Sequence, residues 1–484
     1  MKKIILILII IMLSNSVVYS AKYNIGSEFG NTINSTEYPE SADVEPKIKQ
    51  NQNREVLKTG IENTIEVNLD DCLRLALGNN TRIQSAMQDV FASDARLRQV
   101  WSNYFPQFSW QSGYSRIRQL QLSDVFQENL IYNFWVLGQI SASQLLYDFG
   151  VTQNQATIRK LDNIGYKIIL TGTINDVVYN VKDAYYNLQY AIQAKCVAEE
   201  TVKQYEAFYE QARAFYEIGI KPKVDVTIAE VNLSNAKLTL IQADHSVNLA
   251  MAKLNNAIGI PYFTKYNLAD KLRYDACDLS LEKAVKISEM SRPEFQLAEV
   301  KVEQAKQNVK LVKKSWFPQF IAQGQFEVGG RHPDSNYGYT WGGYINFPTI
   351  NGMLLKHQLR EARTLYSKEQ AEAINTKNNV YLEVQNAYYS MDERKNKIPV
   401  AYLGMKQAKE NYELSFGRYK VGVGNSIELR DAQVQYENSQ LTYYQVMYEF
   451  NSSRANLEKV IGKNIACNEV ELELNKKGTA SKRN

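Results

Sequence analysis

Apolar and polar positions change period in the same order twice along this chain. From Leu69 to Trp101, and again from Leu281 to Trp316, apolar residues recur at helical spacing. Alternation follows each time. Between Pro318 and Gly329, Phe320, Ala322, Gly324, Phe326 and Val328 fall on one face, and Gln319, Gln323, Gln325 and Glu327 on the other, with Ile321 out of phase. Tyr337, Tyr339, Trp341, Ile345 and Phe347 form the next apolar set. In the first half the sets are Phe108, Trp110 and Tyr114, then Tyr132, Phe134, Val136, Ile140 and Ala142. A period of two predicts strands over residues 106–120, 131–147, 318–330 and 336–348. Helical spacing then returns over residues 150–217 and 352–420, followed by a glycine turn and a return helix over 223–258 and 426–461. A proline-free helix of this length is a rod on the order of 100 Å long. The second copy carries Pro399 and Gly404, which predict a kink or break.

The two halves are a tandem repeat. "NYFPQF" at Asn103 and "SWFPQF" at Ser315 place Phe105-Pro106 and Phe317-Pro318 at a spacing of 212 residues, which the preceding helices keep. "AYYNLQ" at Ala184 and "AYYSMD" at Ala387, the turns after them, and "AIG" and "VIG" at Ala257 and Val460 keep a spacing of 203. The nine-residue difference arises between the FPQF junction and the long helix, which predicts a surface loop of variable length there. Proline suits these junctions because it stops a helix and is tolerated at the first residue of a strand.

The N-terminus adds a cellular address. Lys2 and Lys3 precede an apolar run from Ile4 to Leu13, and Val18 and Ser20 suit the −3 and −1 positions of a signal-peptidase site. The expected organisation is a signal peptide (1–20), a flexible polar extension (21–66), a first repeat (67–275), a second repeat (276–466) and a tail (467–484). Charge is nearly balanced, 56 Lys+Arg against 52 Asp+Glu, which argues against nucleic acid as a partner. Cys72, Cys196, Cys277 and Cys467 form no metal or redox spacing, and disulfides or packed free thiols both remain open. His245, His332 and His357 make no catalytic set, and no phosphate loop or HExxH occurs. No catalytic residue, cofactor or metal is therefore expected, and the chain is not expected to be an enzyme.

An exported chain without a long apolar helix meets a membrane as β-strands or not at all. Strands with apolar outer and polar inner faces and aromatic ends suit outer-membrane lipid. Four strands cannot close a barrel, so other copies must complete it; two or three both satisfy this argument.

The ordered set "LDDCLRLALGNN", FPQF, "LLYDFG", "FPTING", "YEIGIKPKVDV", "YKVGVGNSIELRDAQ" and "AIG"/"VIG" resembles the TolC-like outer membrane efflux proteins, from about Leu69 to Gly462. The resemblance implies a mixed α+β membrane protein acting as a homotrimer. Four transmembrane strands per chain would complete a 12-stranded barrel above a long periplasmic helical barrel. It implies a passive exit duct of a tripartite efflux or type I secretion system, joined through a periplasmic adaptor protein to an inner-membrane pump. By position, the turns Gly219, Ile220, Lys221, Pro222 and Gly422, Val423, Gly424, Asn425 would be the periplasmic tips that meet the adaptor. Glu428 and Asp431 would line the constriction; three residues apart, they share a helix face, and a ring of such carboxylates attracts cations. Tyr419 and Asp225 match a pair that holds the tunnel shut. The family's third lock residue is often an arginine two places after the turn glycine; here it is Gly424, with Lys221 or Arg430 as substitutes.

The same residues have plainer uses. Gly219 and Gly422 suit helix C-caps, and Asp225, Glu428 and Asp431 lie where carboxylates favour a helix N-terminus. The rival to a duct is an exported, soluble coiled-coil scaffold or adaptor-like protein with a small β-domain.

Overall fold

The structure, a computed structural model, describes residues 66–123, 126–270, 272–274, 279–330, 336–348 and 353–463, with backbone alone for 118–132. The expected signal peptide, all but the last residue of the 21–66 extension, the 467–484 tail, Cys277, Cys467 and His332 lie outside the described residues. The element order is β1 (Glu66–Val67), α1 (Leu69–Asn79), α2 (Thr81–Trp101), β2 (Gln107–Ser123), β3 (Phe126–Tyr147), α3 (Val151–Glu217) and α4 (Lys223–Ile258). The second half repeats it with β4 (Asn267–Leu268), α5 (Leu281–Ser291), α6 (Pro293–Lys314), β5 (Gln319–Gly330), β6 (Tyr337–Asn346), α7 (Leu354–Lys420) and α8 (Ser426–Ile461). The long helices are 67 residues each and the return helices 36 each. The chain divides into two compact units.

The first unit holds Ala92–Asn163 and Glu303–Ser367. Its centre is an antiparallel sheet in the order β2-β3-β5-β6, so β2 and β6 are edges. The register aligns Phe108, Ala142, Gly324 and Trp341 in one row, and Trp110, Ile140, Phe326 and Tyr339 in the next. Side chains along such rows are cross-strand neighbours on one face, and Phe108, Trp110, Tyr339 and Trp341 stand exposed. Ile321 is not an isolated exception: it pairs with Leu145 and Tyr344, an apolar row on the opposite face.

Two expectations need correction here. A bulge between Val136 and Gly138 shifts the phase of β3, so Trp135, not Phe134 or Val136, continues the exposed row; its ring lies 4.6 Å from that of Tyr114. Gly329 sits opposite the bulge, where any Cβ would collide with the Trp135 carbonyl. The length difference between repeats is not a loop either. β2 and β3 have 17 and 22 residues against 12 and 10 in β5 and β6, and the longer hairpin stays paired to Ser123 and Phe126.

At the helix–strand junctions the chain is fastened by its own backbone. Phe105 N–H donates to the Ser102 carbonyl at 3.0 Å, and Phe317 N–H to that of Lys314 at 3.0 Å. Phe317 stacks on Phe149 at 5.1 Å. Asp148, buried, accepts from the backbone N–H groups of Gly150 (3.0 Å) and Thr152 (2.6 Å), which starts α3.

The second unit comprises the described parts of Gly60–Phe91, Ile164–Val302 and Lys368–Asn484. It contains two buried clusters that are copies of each other. Val177, Val181, Leu188, Leu254 and Ile258 of one occupy the positions of Val380, Val384, Met391, Leu457 and Ile461 of the other. The return helices end on Gly259 (φ 84°) and Gly462 (φ 77°). These glycines press on the break between the paired short helices: an added Cβ would lie 2.8 Å from the Asn79 carbonyl oxygen and 2.9 Å from that of Ser291. A buried Lys182–Glu458 pair at 2.5 Å joins α3 to α8, with Arg454 at 3.5 Å from the same carboxylate.

Of the kink or break expected at Pro399, the break does not occur: α7 runs as one helix through it. Ile398 and Ala401 beside it pack in a buried cluster, and such packing offsets the roughly 3 kcal/mol an interior proline costs. No described helix is long and apolar enough to cross a membrane.

Candidate functional site

Both turns of the second unit are built by one backbone rule. Gly219 (φ 80°) and Gly422 (φ 81°) take the left-handed conformation that closes a helix. Gly219 N–H donates to the Tyr216 carbonyl and Gly422 N–H to that of Tyr419, both at 3.0 Å. Ile220 and Lys221 N–H groups turn back to the Phe215 carbonyl, as Val423 and Gly424 do to that of Arg418. Pro222 caps α4 with φ −74°, and Asn425 caps α8 by accepting from Ile427 N–H at 3.1 Å. Each turn exposes three aliphatic side chains at equivalent positions: Ile218, Ile220 and Val224 in one, Val421, Val423 and Ile427 in the other.

Gly424 departs from its counterpart Lys221 for a steric reason. A Cβ there would lie 2.7 Å from the Tyr419 backbone nitrogen and 2.9 Å from the Arg418 carbonyl carbon. The turn therefore has no room for an arginine, or for any side chain, at that position.

Tyr419 is 0% exposed and belongs to a cluster with Tyr205, Phe208, Ala212, Ala229 and Leu429. Its ring centroid lies 5.0 Å from that of Phe208 and 6.1 Å from that of Phe215, and the Lys221 ammonium stands 5.7 Å from its face. Its hydroxyl is buried without a hydrogen-bond partner. Burial first, and the Asp225 carboxylate second, push this phenol up to about 12. No hydrogen bond joins Tyr419 to Asp225 within the chain: Asp225 accepts from the Ser426 hydroxyl at 3.1 Å. Within the chain the two hairpins are joined here by an aromatic cluster and by the Ser426–Asp225 hydrogen bond.

Glu428 and Asp431, expected by resemblance at the constriction, each contact an arginine. Glu428 pairs with Arg418 at 2.9 Å, and Asp431 with Arg430 at 2.8 Å. All four side chains are exposed. Arg430 contacts its neighbour Asp431, not Asp225. Sequence reasoning missed Arg418, Ser426, Phe208 and Phe215. Only the position of Arg418 beside Tyr419 hinted at its role, because its partner lies across the turn.

In the same cluster, Tyr205 is pushed up to about 12 by burial and then by Glu437, whose own carboxyl burial raises. His245 and His357 are exposed on helices, Cys72 is a buried free thiol and Cys196 an exposed one. Among the described residues no cluster suits a metal ion.

Comparison with known proteins accounts for the doubled architecture. The profile of the family described as "Outer membrane efflux protein" matches residues 72–260 and 285–463, one match per repeat. The probable efflux pump outer membrane protein TtgC of Pseudomonas putida is 23% identical over 407 residues, covering 81% of this chain and 82% of that protein. Toxin and drug export protein A of Aggregatibacter actinomycetemcomitans is 24% identical over 287 residues, 56% of this chain and 60% of the other. Among solved structures, the Campylobacter jejuni CmeC outer membrane channel superposes with a TM-score of 0.70 at 16% identity, over 84% of this chain and 89% of CmeC. The open state of the Neisseria gonorrhoeae MtrE outer membrane channel gives 0.68 at 19% identity, over 82% and 90%.

Proposed function

Because the chain belongs to the outer membrane efflux protein family, we propose that it is the exit duct of a tripartite export assembly. Its place is the outer membrane, with a large helical part in the periplasm. The observation that carries the proposal is the sheet: four strands with β2 and β6 as open edges. In lipid each unpaired edge group costs several kcal/mol, so other copies must pair with those edges. Three copies supply twelve strands, a barrel wide enough for an aqueous lumen, and two copies a filled one. The trimer is the state that suits conduction.

The turns at Gly219 and Gly422 are the periplasmic tips in this reading. Their six exposed aliphatic side chains suit an apolar contact with a periplasmic adaptor, which in turn recruits an inner-membrane pump. Tyr419 and its aromatic neighbours hold the two hairpins of each chain together at rest, and opening requires their separation. The duct is passive and performs no chemistry.

Detergent-purified protein reconstituted into planar bilayers is expected to give steady single-channel conductance, and to run as a heat-modifiable oligomer on gels. Protein that leaves the membrane with salt or osmotic shock, and forms no pore, would refute the duct and favour the soluble scaffold.

A further inference from the structure

The exposed apolar face of the sheet ends in a polar row. On that face the register runs from Phe320 and Ile345, through Trp341 and Phe108, Tyr339 and Trp110, and Tyr337, to Tyr114 and Trp135. Along β5 these rows extend from Phe320 to Gly330. That is roughly 33 Å of strand, or about 25 Å of height at a tilt of about 40°, the height of the apolar band of an outer-membrane barrel. The next row on this face is Arg116 opposite Asn133, both exposed. It lies away from the helices, because β2 enters from α2 at Pro106 and runs outward to Ser123.

This row is organised for an anion. The Tyr114 hydroxyl donates to Asn133 Oδ1 at 2.8 Å, which fixes the amide and leaves its N–H groups as donors toward a ligand. Arg116 faces Asn133 across the ladder, a pairing that sets Cβ atoms about 4.5–5.5 Å apart, and it has no ion-pair partner among the described residues. A guanidinium fork beside amide N–H groups suits phosphate oxygens. The other charged strand positions do not oppose it. Arg118 has the same strand phase, whereas Glu128 pairs with Gln121, and Glu327 with Gln139 and Gly338, all in the opposite phase. Asp124, Arg331 and Asp334, in the connections, lie outside the described residues.

We propose that Arg116 and Asn133 bind the phosphate of a lipid headgroup in the outer leaflet of the membrane. This rests on the reading of the sheet as part of a lipid-embedded barrel. Phosphate in solution would meet the same donors, but the apolar rows beneath them offer a surface to acyl chains. The Tyr114 and Trp135 rings, 4.6 Å apart, stand where aromatic side chains mark the edge of the hydrocarbon. An arginine at that depth lays its stem on apolar surface and carries its charge to the headgroups.

The test uses full-length protein in dodecyl maltoside, mixed with bisphosphorylated lipid A, with the same lipid stripped of its phosphates, or with inorganic phosphate. Native mass spectrometry reads the lipid retained, and gels read the temperature at which the heat-modifiable oligomer dissociates. The phosphorylated lipid should be retained several-fold better than the stripped one and should raise that temperature. R116Q should lose most of this preference and N133L part of it, while R98Q, on α2, should keep it. The wild-type comparison of the two lipids decides the matter even where a variant does not assemble. Equal retention of both lipids, or an undiminished preference in R116Q, overturns the inference and leaves the duct intact. Protection by inorganic phosphate alone overturns the assignment to lipid. Absence of any heat-modifiable oligomer or pore overturns the duct, and the inference falls with it.

Discussion

Tyr419→Phe separates the aromatic cluster described above from a hydrogen-bonded lock. The phenol oxygen is fully buried and has no partner. A buried polar group left unpaired costs about 1–3 kcal/mol, so removing the oxygen relieves that cost while the ring keeps its contacts with Phe208 and Phe215. The substitution should stabilise the closed hairpin pair by about 1 kcal/mol, a roughly fivefold drop in the open population. Tyr419→Ala removes the ring as well and should cost about 3–5 kcal/mol. Amide hydrogen exchange over Phe208–Phe215 and over the second turn reads both changes directly, slower in Phe and much faster in Ala. Because the phenol is pushed up to about 12, it stays neutral throughout the ordinary range, and the Phe effect should be constant from neutral to mildly alkaline pH. If Tyr419→Phe accelerates exchange as Tyr419→Ala does, the hydroxyl holds a partner and the reasoning is wrong.

Gly424→Ala should open the second turn, because the new Cβ meets backbone at 2.7 Å; a cost of about 1–3 kcal/mol would show as faster exchange at Arg418–Asn425, and Gly424→Arg should do no better. Lys182→Met strands Glu458 beside Arg454 alone and should lower stability by about 3 kcal/mol in denaturant titration, with most of the loss recovered in Lys182→Met/Glu458→Leu. Cys72, pushed up to about 12 by burial and then by Asp71, should resist alkylation at mildly alkaline pH while exposed Cys196 reacts, as peptide-resolved mass spectrometry would read. Its raised value also has a sign. Above the ordinary thiol range the unfolded chain releases the proton first, so this site withdraws stability as pH rises toward about 12.

The repeat and the family were legible because their marks are sterically obligatory. Gly219 and Gly422 need positive φ, Gly259 and Gly462 need both positive φ and close approach, and such positions survive in a sequence as fixed points. Strand phase was legible only between irregularities. One extra residue near Leu137 moved Trp135 to the exposed row, and nothing local to Phe134 or Val136 announces it. At Pro399 propensity allows a break but is local, whereas the packing of Ile398 and Ala401 that accompanies the unbroken helix is tertiary. The site was half legible. The resemblance points to Glu428 and Asp431, and their spacing puts them on one helix face, but the partner of Glu428 is Arg418, ten residues earlier and brought back by the turn.

The longer hairpin of β2 and β3 fixes an arithmetic for growth and redesign. Its ladder is paired up to Ser123 and Phe126, so there is no slack into which residues can be added. Inserting equal numbers on both strands extends the ladder, and pairs of residues keep every side chain on its face. A single residue added to one strand either buckles out as a bulge or turns the remainder of that strand inside out. Peptide epitopes grafted here should therefore be carried in multiples of two per strand, which makes this hairpin a ruler as well as a wall.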